Sequence, residues 1–139
     1  MPHGYAYYCI NAEELPLEEI SRVLGLAPSE CWRKGEPGRY VSARKDSGWC
    51  FHSPLPRSNT NLAEHIEALT EVLKPKAEML RSLGQRFKTY VVCTGKFDST
   101  CSPALFLSKE TMAFLAFIGA DFDADLYFEE LGDGGAVKG

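Results

Sequence analysis

Tyr5-Ala6-Tyr7-Tyr8-Cys9-Ile10, then Pro16-Leu17-Glu18-Glu19-Ile20, then Leu24-Gly25-Leu26, reads as a strand, a helix and a glycine stop. The first six residues are aromatic-rich and favour the extended chain. Pro16 suits the first helical position, where its missing N–H costs nothing. Glu18 and Glu19 complement the helix dipole in the first turn. Leu17, Ile20, Val23 and Leu24 form one apolar stripe, and Gly25 can take the left-handed conformation that ends a helix. A related pattern stands near the other end: Ala104 to Leu107, a helix opening after Ser108, Ile118-Gly119, then Phe122 to Phe128. The two units predict an α+β scaffold and raise the expectation of pseudo-duplicated halves.

The stretch between them is punctuated by Pro28, Gly35, Pro37 and Gly38. Arg39-Tyr40-Val41-Ser42 and Trp49-Cys50-Phe51-His52 predict two strands, with turn chemistry at Lys45-Asp46-Ser47-Gly48. In the second strand Trp49 and Phe51 share one face, and Cys50 and His52 share the other. Asn59 or Asn61 caps the longest helix, whose core stripe is Leu62, Ile66, Leu69 and Leu73. Pro75 removes one intrahelical bond and crowds the carbonyl of Glu71, which predicts a kink or break. Ala77, Met79, Leu80 and Leu83 continue the stripe to Gly84.

Phe87 to Thr94 reads as a strand and Gly95 to Ser102 as a turn. Pro103 to Leu107 reads as a short apolar strand. The helix after Ser108 is expected to bury Met112, Leu115, Ala116 and Ile118, with Phe114 and Phe117 widening that surface. Asp121 to Glu129 alternates, with Phe122, Ala124, Leu126 and Phe128 inward and Asp121, Asp123, Asp125 and Tyr127 outward. The order is β-α-β-β-α-β-β-α-β. It predicts a largely antiparallel sheet with helices packed on one face. Residues 1–130 are expected to form a single globular domain and residues 131–139 a flexible tail.

The chain of 139 residues carries a net charge of -4, and six acids against one lysine fall within residues 121–139. The near-neutral body gives no reason to expect nucleic acid. One basic stretch stands out, Arg33, Lys34, Arg39, Arg44 and Lys45 against Glu36. It is read as a solvated loop before an anionic partner site. No apolar run approaches a membrane span, and the start has no leader pattern, so a cytoplasmic setting is expected. The five cysteines, Cys9, Cys31, Cys50, Cys93 and Cys101, are odd in number and lack C-x-x-C spacing. That predicts free thiols, with no disulfide framework and no structural metal.

Three further groups of residues resemble a known family. Leu17-Glu18-Glu19-Ile20, Leu24-Gly25-Leu26, Pro28-Ser29 and Trp32-Arg33-Lys34-Gly35 resemble the opening of domain of unknown function family 4279. Gly48-Trp49, Leu62-Ala63-Glu64-His65-Ile66, Leu69 and Leu73-Lys74-Pro75-Lys76-Ala77 are similar to its middle. Leu107-Ser108, Leu115, Ile118-Gly119-Ala120 and Asp125-Leu126-Tyr127 are similar to its end. The resemblance spans about residues 5–128. It implies one globular domain in small, mostly bacterial cytosolic proteins, and supplies no catalytic residue.

Several constellations compete for a function. Trp32, Arg33 and Trp49 could line a pocket with a flat apolar wall and a cation; core-edge sealing is the plainer reading. Cys50 and His52 share a strand face but lack a third orienting residue, which argues against a catalytic pair. Asp121, Asp123 and Asp125 fail the EF-hand pattern, because Leu126 stands where glycine is needed. Parallel carboxylates on one strand face suit a solvated or partner-binding surface. His65 is read as a plain helical surface residue. The sequence therefore points to a binding or protein-interaction module without catalysis or cofactor. The alternative is a small-molecule site around Trp32, Arg33 and Trp49.

Overall fold

β1 (His3–Ala12) is the middle strand of a five-stranded sheet in the computed structural model, which describes residues 1–129. Around it stand β2 (Glu30–Trp32), β3 (Ser47–His52), β4 (Lys88–Phe97) and β5 (Asp121–Phe128), in the order β2-β3-β1-β4-β5. β1 pairs antiparallel with β3 and β4, β2 pairs antiparallel with β3, and β5 runs parallel to β4. The first four strands with their helices make the split βαββαβ arrangement. α4 (Lys109–Ile118) then crosses over to deliver the parallel edge strand. The expected α+β class, largely antiparallel sheet and single helical face all hold.

α1 (Leu17–Leu24) ends at Gly25 and α4 ends at Gly119, both left-handed at φ 65° and 73°. Only a residue without a Cβ accepts that conformation without strain. Asn61 caps α2 (Leu62–Leu73) by accepting the Glu64 N–H at 3.1 Å. The helix then breaks as Pro75 requires: Lys74–Lys76 tightens to a 3₁₀ turn, and α3 (Ala77–Arg86) follows. Gly84 on α3 allows α4 to approach, since a Cβ there would stand 2.1 Å from the Ile118 carbonyl oxygen.

Alternation divides the sheet into a covered face and an open face. Ala6, Tyr8 and Ile10 of β1, Trp49 of β3, and Val91, Cys93 and Phe97 of β4 join the core under the helices. From the helices come Ile20, Leu24, Leu62, Ile66, Leu69, Leu73, Leu80 and Ile118, all at most 1% exposed. The opposite face carries Tyr5, Tyr7, Cys9, Cys50, His52 and Tyr90, and none of the helices among the described residues packs on it.

Four expectations change. Arg39–Ser42 is not a strand. Residues 33–46 form an arm with Gly38 N–H donating to the Val41 carbonyl at its tip, and the true hairpin partner of β3 is Glu30–Trp32. Pro103–Leu107 is not a strand either. Its Pro103 and Ala104 carbonyls accept the Leu62 and Ala63 N–H groups, which the first turn of α2 leaves without intrahelical partners. Without that strand, the expected second unit opens on a loop rather than on a strand. On α4 only Thr111, Leu115 and Ile118 are buried. Met112, Ala116 and Phe117 are exposed, because the helix lies at the outside of the layer against α3. On β5, Phe122 and Leu126 reach the core, whereas Ala124 and Phe128 are exposed at the sheet edge. The expected tail, residues 131–139, lies outside the described residues.

Candidate functional site

The open face is built by register. In the antiparallel pairs, Tyr7 stands opposite His52 and Val92, and Cys9 stands opposite Cys50 and Tyr90. Glu30 stands opposite Cys50, and Trp32 opposite Gly48. Cys9 and Cys50 are joined as a disulfide across β1 and β3, 41 residues apart in sequence. The expectation of five free thiols is corrected: Cys31, Cys93 and Cys101 are free, and the pair was set by strand register, which cysteine spacing does not reveal.

A hollow of about 180 Å³ sits over this disulfide. Tyr5, Tyr7 and Tyr90 line it from the sheet, Trp32 and Glu30 from β2, and His52 from β3. Arg39 reaches in from the arm and Arg57 from the segment after β3. The rings cluster. Tyr5 and Tyr7 stack at 5.9 Å, and the His52 ring lies 5.5 Å from each. The Arg57 guanidinium lies 3.8 Å from the Tyr5 ring centroid, and that of Arg44 lies 4.0 Å from Trp32. Gly48 makes room for the indole: a Cβ there would stand 2.1 Å from the Trp32 ring.

Electrostatics divide the basic stretch. Arg33 bonds to Glu18 at 2.7 Å, and Lys34 bonds to Glu13. Arg39, Arg44 and Arg57 pair with no carboxylate among the described residues. The Nε of Arg44 is buried with no hydrogen-bond partner among the described residues. Burial lowers the His52 pKa; Glu30 works against that shift, and Arg57 adds to it. Burial, reinforced by Tyr90 and Tyr5, pushes the Tyr7 hydroxyl up to about 12. Both groups are therefore uncharged at neutral pH.

A second hollow of about 530 Å³ adjoins the first across Tyr90. Asn11, Asp46, Lys88, Asp121 and Asp123 complete it. The Tyr90 hydroxyl donates to Asn11 Oδ1 at its edge. Asp121, Asp123 and Asp125 project along the open face of β5, where Asp125 accepts the Tyr127 hydroxyl at 3.0 Å. The open face thus has an arginine pole beside β2 and β3 and a carboxylate pole along β5.

The proposed trio of Trp32, Arg33 and Trp49 does not assemble. Trp49 is fully buried on the covered face, where its indole N–H donates to Ser21 Oγ at 3.0 Å. Arg33 points to α1 and borders a different hollow with Glu13 and Glu14. Only Trp32 reaches the open face. His65 is likewise not a surface residue. It is fully buried, with Nε2 donating to the Asn59 carbonyl at 2.7 Å and Nδ1 accepting from Ser53 Oγ at 2.8 Å. It fixes the segment that carries Arg57. Among the described residues, no three His, Cys, Asp or Glu side chains could share a metal ion, and no helix is long and apolar enough to cross a membrane.

Sequence reasoning missed Arg57, Tyr5, Tyr7 and Tyr90. The tyrosines carried a legible signal, since Tyr5, Tyr7 and Cys9 alternate with the core residues Ala6, Tyr8 and Ile10. Arg57 carried none, because only the tertiary course after β3 brings it to Tyr5.

Fold and face together describe a small α+β protein with one helix-covered sheet surface and one left open by the described residues. The chain belongs to the family described as domain of unknown function (DUF4279), whose profile matches residues 2–129. No curated protein and no solved structure matches it.

Proposed function

We propose that the protein is a binding module, without catalysis of its own, whose recognition surface is the uncovered sheet face and whose partner is another protein. The observation that carries this reading is the composition of that face. Tyr5, Tyr7, Trp32 and Tyr90 stand with Arg39, Arg44 and Arg57 around one hollow and its rim. Tyrosine, tryptophan and arginine are the residue types that concentrate binding energy at protein interfaces. Each offers a broad flat surface with a polar edge. Asp121, Asp123 and Asp125 add an opposite pole that would orient a partner and make association weaken with salt. The Cys50 sulfur, which a Cys–His nucleophile would use, is bonded to Cys9. Reduction would leave Cys9 and Cys50 as facing thiols, and the Cys50 and His52 pair would still lack a third orienting residue.

The test is affinity capture with wild type, with a Tyr7→Ala/Trp32→Ala double variant, and with Met79→Ala on the helical side. A partner lost only by the double variant supports the reading. A partner kept by the double variant and lost by Met79→Ala would move recognition to the helices.

A further inference from the structure

We infer that the hollow over the Cys9–Cys50 bond binds a carboxylate carried on a flat group of about amino-acid size. The inference rests on the open face being the recognition surface, and it names the chemical group recognised there.

Charge comes first. Arg39 and Arg57 enter the hollow from two different segments, and neither is paired with a carboxylate among the described residues. Their neighbours Arg33 and Lys34 are paired, so an unpaired state is not the rule for this region. Glu30 is the one acid lining the hollow among the described residues, against Arg39 and Arg57 inside it and Arg44 on its rim, so positive charge is in excess there. An anion offsets that charge. A guanidinium stacked over a ring, as Arg57 is over Tyr5, is held in orientation by the ring. Its planar fork of donors matches the two oxygens of a carboxylate.

Size and shape come second. At about 180 Å³ the hollow lies below the roughly 300–1,000 Å³ of drug-sized sites. It has room for one side chain or one small acid. Five rings, those of Tyr5, Tyr7, Trp32, His52 and Tyr90, border that volume, each with a polar edge as well as a flat face. A planar group can lie flat against those rings while its carboxylate meets the arginines. Uncharged His52 and Tyr7 supply hydrogen-bonding groups without adding charge. Two sources present this chemistry: a free aromatic acid, and the terminal residue of a partner chain, where carboxylate and side chain share one carbon.

The experiment is a chemical-shift titration of the full chain. The probes are phenylacetate and phenylacetamide, then a tripeptide ending in phenylalanine as free acid and as amide. The acids should produce saturable shifts at Tyr5, Tyr7 and His52, and bind at least about tenfold tighter than the amides, as expected for a charge-assisted pair. Arg57→Gln and Arg39→Gln should each remove most of that preference. Arg57→Lys should retain part of it, and Arg33→Gln all of it. Thermal melts of each variant separate lost binding from lost folding. Tighter binding of the peptide acid assigns a partner's chain end; tighter binding of phenylacetate assigns a small acid. Equal binding of acids and amides, or an equal loss in Arg33→Gln, overturns the inference. So does the absence of any saturable shift; if capture still depends on Tyr7 and Trp32, the open-face reading then survives alone. Acid-specific shifts confined to the helical side overturn both.

Discussion

Trp49 and Trp32 lie on neighbouring paired strands and serve opposite faces of one sheet. Trp49 faces Cys31 across the ladder, Trp32 faces Gly48, and that single step of register sends the two indoles in opposite directions. On the covered side Trp49 has no exposed surface, and Ser21 of α1 satisfies its N–H. On the open side Trp32 rests against a glycine and under Arg44, partly in solvent. The covered face uses its aromatic residues to hold the fold together. The open face gathers them beside unpaired arginines, where packing on other elements does not account for them.

The sharpest way to break this contrast is to truncate both indoles. Trp49→Ala should destabilise by about 3–5 kcal/mol, the range for removing a large aromatic from a core. Trp32→Ala should cost about 1 kcal/mol or less, as expected for a partly exposed side chain away from the core. Urea denaturation of the two variants measures both, and equal losses would mean that the open face is part of the core.

Next in size is the covalent link between the central strands. Cys50→Ser, compared with oxidised wild type, should lower stability by about 2–4 kcal/mol, because a long loop is no longer closed in the unfolded chain. Loss of covered-face packing would be read from the Trp49 fluorescence. An unchanged denaturation midpoint, with or without reductant, would show that β1 and β3 are held by pairing alone.

The smallest expected effect belongs to His52. Burial favours its neutral form in the fold, against the pull of Glu30 and with the help of Arg57. Its folded-state pKa is therefore depressed, and the unfolded chain binds the proton first as pH falls. The stability it contributes is present above the unfolded value of about 6.5 and is lost as pH falls through the folded value. Its partial exposure to solvent keeps the effect modest. Melting from about pH 7.5 down to about pH 5, the range in which histidine titrates, should show a decline that His52→Gln reduces. Parallel pH profiles would remove His52 from the acid response.

Periodicity made much of the covered side legible. The stripe of α1, the break at Pro75, the glycine stops and the strand around Val91 all follow from residue spacing and local backbone chemistry. β2 escaped because three residues, Glu30-Cys31-Trp32, are too few to show alternation. Residues 39–42 looked extended because Tyr40 and Val41 favour strands, yet Gly38 and Val41 close a turn there. The hollow was illegible for a different reason. Its lining comes from β1, β2, the arm, β3, the segment after it and β4, and no local pattern connects Arg39 with Arg57. One row of it, Tyr5 and Tyr7, could be read from the same alternation that located the core.

The Cys9–Cys50 bond also changes what counts as a break in this molecule. It closes residues 9–50 into a ring that contains α1, β2 and the whole arm. The arm's tip offers exposed Arg39 and Tyr40 to a protease. A cut there opens the ring without dividing the protein, and both pieces stay joined until the sulfurs are reduced. The edge of the hollow most open to attack is thus the one whose scission leaves the two halves of the chain attached.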